Sequence, residues 1–210
     1  TPILIGRKQE KTASIFEEYA NKNNSQIYYS DTCDFETDLK GLYQGENKNT
    51  AFTAINILKN QNWNIHQKDI QEGLKNVQKN TSLLGRWMTL SDTPLVICDT
   101  GHNEDGIKLI VEQINSTNYK DLHFVFGVVN DKSINTILKL LPKNAKYYFC
   151  QAKIPRAMNP ELLYQKAKKH QLNGKIFTSV DAAVNNAKKE AHNDDLIFIG
   201  GSTFVVAELF

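Results

Sequence analysis

Asp99, His102 and Asn103 fall within five positions, with Gly101 between them, directly behind the apolar run Leu95-Val96-Ile97-Cys98. A carboxylate, an imidazole and a carboxamide at the end of a buried strand can move protons and hold a polar ligand. In open α/β sheets the carboxyl ends of the strands are where ligands bind. Three more apolar runs end in polar clusters. Gly127, Asn130, Asp131 and Lys132 follow Leu122–Phe126; Gln151, Lys153 and Arg156 follow Lys146–Cys150; Gly200, Gly201 and Ser202 follow Leu196–Ile199. In a parallel sheet these clusters gather on one edge. Ser202, at a helix start, would aim backbone N–H groups at an anion. Lys132, Lys153 and Arg156 would add positive charge, so the edge suits a ligand carrying carboxylates or phosphates.

The elements that must position these residues can be read from periodicity. Strand Leu95–Cys98 is followed by a helix with Ile107, Ile110, Val111 and Ile114 on one face, and strand Leu122–Phe126 by one with Ile134, Ile137, Leu138 and Leu141. Strand Lys146–Cys150 precedes a helix opened by Asn159-Pro160, a good N-cap and first-turn pair. Strand Lys175–Phe177 leads through Ser179 to a helix bearing Val180, Ala183, Val184, Ala187 and Ala191, and a last helix starts at Thr203. Alternating strands and helices predict an α/β fold: a mostly parallel, Rossmann-like sheet with helices on both faces, over residues 83–210. Before it lie short strands at Ile3–Ile5 and Gln26–Tyr29 and a helix over Gln9–Lys22 with Ile15, Phe16, Tyr19 and Ala20 on one face. A helix striped by Ala51, Ala54, Ile55 and Leu58 follows, then one marked by Ile70, Leu74 and Val77, then a polar stretch, Gln78–Ser82, that reads as a linker. Residues 1–82 therefore form a separate, sheet-poor first part.

Composition excludes several classes. In 210 residues, 25 Lys and Arg face 23 Asp and Glu, a net charge of +2, so no nucleic-acid binder driven by bulk charge is expected. Cys33, Cys98 and Cys150 are far apart, and two of them end apolar runs, as free thiols of a reducing compartment do. No apolar run approaches a membrane span, there is no signal peptide, and a cytoplasmic protein is expected. The start, Thr1-Pro2-Ile3, lacks an initiator Met and reads as a piece cut from a longer chain. Gly101 to Gly106 has the glycine spacing of a phosphate-binding loop, but Ile107 stands where its Lys belongs. No dinucleotide fingerprint, zinc-protease helix or nucleophile elbow is present.

An ordered set of short motifs resembles the C-terminal domain of the folylpolyglutamate synthase/dihydrofolate synthase family of Mur-type amide ligases. Leu84-Gly85-Arg86-Trp87 and Asp99-Thr100-Gly101-His102-Asn103 resemble its Gly-Arg pair and Asp-Gly-Ala-His-Asn motif, with the family's thirteen-residue spacing from Arg86 to Asp99. Tyr43-Gln44-Gly45-Glu46-Asn47, Gly127 through Lys132, Pro155-Arg156 and Gly201-Ser202 resemble four further motifs, in family order. Thr100-Gly101 stands for the usual Gly-Ala, and Tyr43 for a His.

The resemblance implies an ATP-dependent ligase. A substrate carboxylate is phosphorylated by ATP, and the acyl phosphate reacts with the amine of L-glutamate; dihydropteroate or a folate is the acceptor. Carried over by motif, Asn47 and Arg86 would contact ATP and Asp99 would hold its ribose or adenine side. His102 would face the phosphates or the incoming glutamate, and Ser202 the glutamate. Magnesium is implied, but the phosphate loop, magnesium ligands and carbamylated lysine belong to the family's N-terminal domain, whose tail residues 1–82 resemble. No metal ligand is assigned here, and alone the chain is expected to be inactive, to partner its own missing domain and to be a monomer. Asp99 and His102 should lie beside Arg86, facing solvent. Another Mur-type amino-acid ligase and a non-catalytic nucleotide- or anion-binding module are the alternatives. Taken singly, Asp99 could be a helix cap, Arg86 half of a surface ion pair and Ser202 an N-cap.

Overall fold

The structure is a computed structural model that describes residues 1–130 and 134–210. It divides into two compact units, Thr1–Leu83 and Leu84–Phe210.

In the first unit, strands β1 (Ile3–Ile5) and β2 (Ile27–Tyr29) pair in parallel around helix α1 (Glu10–Lys22). Helices α2 (Gln44–Asn60), α3 (Gln67–Lys75) and α4 (Val77–Thr81) follow. A small core joins Cys33, Ile70 and Leu74, with Phe35, Phe52, Ile55 and Ile65 packed against it. Two expectations are corrected. The stretch read as a linker is largely helix α4, because Asp38 accepts hydrogen bonds from the backbone N–H groups of Val77 (3.1 Å) and Gln78 (2.9 Å). That carboxylate satisfies two otherwise orphaned donors of a short helix from far along the chain, where no local pattern reveals it. On α1 the buried positions are Ala13 and Ala20, whereas Ile15, Phe16 and Tyr19 are exposed.

The second unit is built on a six-stranded sheet. Its strands are β3 (Met88–Asp92), β4 (Leu95–Asp99), β5 (Leu122–Phe126), β6 (Lys146–Phe149), β7 (Gly174–Ile176) and β8 (Leu196–Gly200), in the order β3-β4-β8-β5-β6-β7. Every pairing is parallel except the β3–β4 edge hairpin. Helices α5 (Glu104–Ser116), α6 (Ile134–Leu140), α7 (Pro160–Lys168), α8 (Val180–Glu190) and α9 (Thr203–Ala207) complete the unit.

Side-chain alternation along the strands decides which helix covers which face. Ile97, Phe124, Phe126, Tyr147, Phe149 and Phe198 point to one face and pack against Ile107, Ile110 and Ile114 of α5, Ile137 and Leu138 of α6 and Leu163 of α7. Val96, Cys98, Val125, Tyr148, Ile197 and Ile199 point to the other and meet Val180, Ala183 and Ala187 of α8 and Val205 and Val206 of α9. Aromatic rings fill the first face: Phe124 lies 4.9 Å from Phe198 and 5.4 Å from Tyr147, ring centre to ring centre.

This layering places the crevice. Helix α5 leaves β4 towards the first face, while α9 leaves the neighbouring β8 towards the second. Where adjacent strands send their connections to opposite faces, a gap opens beyond their carboxyl ends. The register puts Asp99, Gly200 and Phe126 side by side across β4, β8 and β5. The residues after β4 and β8 therefore rim that gap.

Candidate functional site

The site is built from two turns that meet at the end of β4. Gly85-Arg86-Trp87 leads into β3, and Thr100-Gly101-His102 leads out of β4. Both Gly85 (φ +69°) and Trp87 (φ +46°) sit in the left-handed region, which costs a Trp roughly 1–2 kcal/mol. Three contacts hold this conformation. The Asp99 Oδ2 accepts the Trp87 N–H at 2.7 Å, the Gly85 carbonyl accepts the Thr100 N–H at 3.0 Å, and the Trp87 ring is buried 5.8 Å from the Phe198 ring. No Cβ fits on Gly85, since it would lie 2.8 Å from the Thr100 Cγ2 and 2.7 Å from the Val206 Cγ1. Arg86, the residue between, is left half-buried and donates from Nη1 to the Thr100 Oγ1 at 2.7 Å.

Asp99 corrects the expectation of a solvent-facing carboxylate. It is 1 % exposed, and its other oxygen, Oδ1, accepts the Gly101 N–H at 2.7 Å. The carboxylate binds one backbone N–H from each turn and so braces both. Ser202 is corrected likewise. It is 3 % exposed, not open to solvent, and its hydroxyl caps α9 by accepting the Phe204 N–H at 3.2 Å. Helix α9 has only five residues, too short to supply a useful dipole.

His102 does face solvent, and its Nδ1 lies 3.0 Å from the Thr100 carbonyl. A carbonyl only accepts, so Nδ1 donates to it and Nε2 is the ring nitrogen left for a ligand. Asn103 caps α5 by accepting the Gly106 N–H at 2.8 Å. Burial pushes the Cys98 thiol up to about 12, helped by the charge of Asp99, so it stays a neutral core residue and not a nucleophile. Arg156 reaches the same sheet edge: its guanidinium lies 4.6 Å over the Phe204 ring, and its carbonyl accepts the Asn130 N–H at 2.9 Å. The backbone N–H of Lys153 is taken by Glu208. Asp131 and Lys132 lie outside the described residues.

Asn47 belongs to the first unit. It is exposed in the first turn of α2 and donates from Nδ2 to the Gln44 Oε1 at 3.0 Å, as two residues three apart on one helix face can.

A second polar cluster lies at the opposite end of the sheet. Buried His123 contacts the Tyr148 hydroxyl at 2.7 Å and Asp195 at 3.2 Å, and Tyr148 donates to Glu190 at 2.8 Å. Burial holds the His123 pKa below the usual imidazole value. These groups bond to one another from the buried His123 out to half-buried Glu190, at the end of the sheet away from the crevice. Among the described residues no three His, Cys, Asp or Glu side chains gather as a metal cage, and no helix is long and apolar enough to cross a membrane.

Thr100 is the site residue that sequence reasoning passed over. It entered only as a departure from a motif, yet its hydroxyl holds Arg86. The signal was available: a hydroxyl replaces a glycine directly beside the residues chosen for the site.

Comparison with known proteins agrees with this geometry. Residues 85–203 match the family described as Mur ligase, glutamate ligase domain, which is more than half of the chain. A probable bifunctional folylpolyglutamate synthase/dihydropteroate synthase of Haloferax volcanii is 31% identical over 182 residues, covering 85% of this chain and 21% of the relative. Two solved structures share the fold. E. coli FolC in complex with DHPP and ADP has a TM-score of 0.79 at 22% identity, over 100% of this chain and 52% of that one. The folylpolyglutamate synthase/dihydrofolate synthase from Yersinia pestis, complexed with AMPPNP and Mn ion, has a TM-score of 0.77 at 20% identity, again over 100% and 52%. The chain thus spans about half the length of the solved relatives and about a fifth of the Haloferax protein. With the glutamate ligase domain beginning at the Gly85-Arg86 turn, the chain belongs to the Mur ligases, in the folylpolyglutamate synthase/dihydrofolate synthase family, and corresponds to its C-terminal portion.

Proposed function

We propose that the chain supplies the glutamate ligase half of an ATP-dependent amide ligase that adds L-glutamate to dihydropteroate, to folylpolyglutamate, or to both. The observation that carries this is the braced turn that presents Arg86 at the carboxyl edge of the sheet, inside a glutamate ligase domain. A guanidinium has five N–H donors, and Thr100 takes one. The rest fit a phosphate, which a planar fork can grip at two oxygens. ADP and AMPPNP in the solved relatives support a nucleotide as the phosphate carrier.

Roles follow from geometry. Arg86 binds phosphate. Asp99, engaged by backbone, acts through Arg86 as a positioning residue and is not itself a nucleotide contact. His102, with Nε2 left for a ligand, takes the proton that the glutamate ammonium must lose before its nitrogen attacks an activated carboxylate. Ser202 fixes the start of α9. Asn47 keeps the nucleotide assignment that its motif implies. Magnesium does not fit the described residues of the second unit: each Asp99 oxygen already accepts an N–H, and no acidic cage forms among those residues. Its ligands belong to the part of the ligase that carries the phosphate loop. A cytoplasmic monomer is the proposed state.

The ligase that contains this chain, assayed for ADP release, tests this. Release should require both L-glutamate and either dihydropteroate or a folate, and the 210-residue chain alone should give none. Equal release with another amino acid would move the protein to a different Mur-type ligase. Nucleotide binding without turnover in the intact protein would make it a binding module.

A further inference from the structure

We propose that Thr100 is a positioning residue that fixes the Arg86 guanidinium for the nucleotide phosphates; this rests on the reading of Arg86 as a phosphate contact. Three observations support it. The Thr100 hydroxyl accepts from the Arg86 Nη1 at 2.7 Å, a short charge-assisted bond. Thr100 is 8 % exposed, so little water competes for that hydroxyl. Its methyl is fixed as well: the Cγ2 lies 2.8 Å from where a Cβ on Gly85 would stand.

These facts reinforce one another. A β-branched side chain is restricted at χ1, so packing the methyl against Gly85 limits the direction of the hydroxyl. The hydroxyl then orients Arg86, the next residue after that glycine. The Thr100 backbone N–H bonds back to the Gly85 carbonyl at 3.0 Å, which locks the spacing between the turns. An Arg side chain loses on the order of 2 kcal/mol of rotamer freedom when it is held. Here much of that loss is incurred on folding, before any ligand arrives, which is what preorganisation means for binding. The motif that this turn resembles carries a glycine at position 100, which has no hydroxyl.

Two readouts test it, each on the parent, Thr100→Val, Thr100→Ser and Arg86→Ala. The first is the ¹⁵N–¹H heteronuclear NOE of the Arg86 Nε in the 210-residue chain. The second is the KM for ATP and the kcat of the intact ligase. Thr100→Val keeps shape and the methyl contact but loses the acceptor. It should lower the Arg86 NOE and raise the KM for ATP about fivefold, the scale of one net hydrogen bond, with a smaller fall in kcat. Thr100→Ser keeps the acceptor but loses the methyl contact, so it should restore both readouts in part, which a loss of stability alone would not predict. If Arg86→Ala raises KM but Thr100→Val moves neither readout, Arg86 remains a phosphate contact and the proposal is overturned. If Arg86→Ala leaves the KM for ATP unchanged, Arg86 is not a phosphate contact and the proposal falls with that assignment.

Discussion

Asp99→Ala is expected to destabilise the Leu84–Phe210 unit by about 3 kcal/mol. Its carboxylate accepts the N–H groups of Trp87 and Gly101, each at 2.7 Å, at a site only 1 % exposed. Removing it strands two backbone donors away from water, and one such group costs roughly 1–3 kcal/mol. The Trp87 bond also opposes the strain of a left-handed Trp, so the turn should relax and carry Arg86 out of place. Asp99→Asn keeps the shape but turns an NH₂ group towards one of the two N–H donors. It should lose about half as much stability. Urea unfolding at pH 7 measures both changes. Asp99→Ala within about 0.5 kcal/mol of the parent would mean that the carboxylate does not brace the turns.

Gly201→Ala should be at least as severe, by a different route. Gly201 has φ +94°, which L side chains rarely adopt, and its Cβ would lie 2.4 Å from the Phe126 ring and 2.8 Å from the Gly127 carbonyl oxygen. Phe126 is fully buried and sits edge-on to Phe124, 5.7 Å away, so it has nowhere to go. Strain and overpacking together should cost about 3–5 kcal/mol. The affected strand is β8, whose end rims the crevice, so retained binding in a stable Gly201→Ala variant would be as damaging as retained stability. Thermal unfolding combined with nucleotide titration reads both.

What the sequence disclosed followed from local pattern. The runs around Val96, Phe124, Tyr147 and Ile197 are apolar on both faces, as strands covered on both sides must be, and the helices between them carry clear 3.6-residue stripes. Order alone then implied a parallel sheet and a polar edge. Contacts between distant residues stayed hidden. Strand β3 is an edge strand with exposed Thr89 and Leu90, so it lacks the apolar signature of its neighbours. Helix α4 depends on Asp38, some forty residues away. Asp99 and Ser202 were chosen for correct chemical types at correct spacing, but a polar side chain at a strand end can serve ligand or backbone. Here the nearest unpaired N–H groups claimed both. Arg86 and His102 kept part of their polar surface, and Thr100 gained importance from a bond to a residue fourteen positions earlier.

The most direct test of the central claim is the affinity of the ligase containing this chain for a non-hydrolysable ATP analogue, with Arg86, Arg86→Lys and Arg86→Ala compared by calorimetric titration. Charge-assisted contacts from a braced guanidinium predict a loss of roughly 10- to 100-fold for Arg86→Ala. Arg86→Lys should recover only part of it, because an ammonium keeps the charge and loses the fork. Equal affinity in the parent and in a correctly folded Arg86→Ala variant would contradict the account.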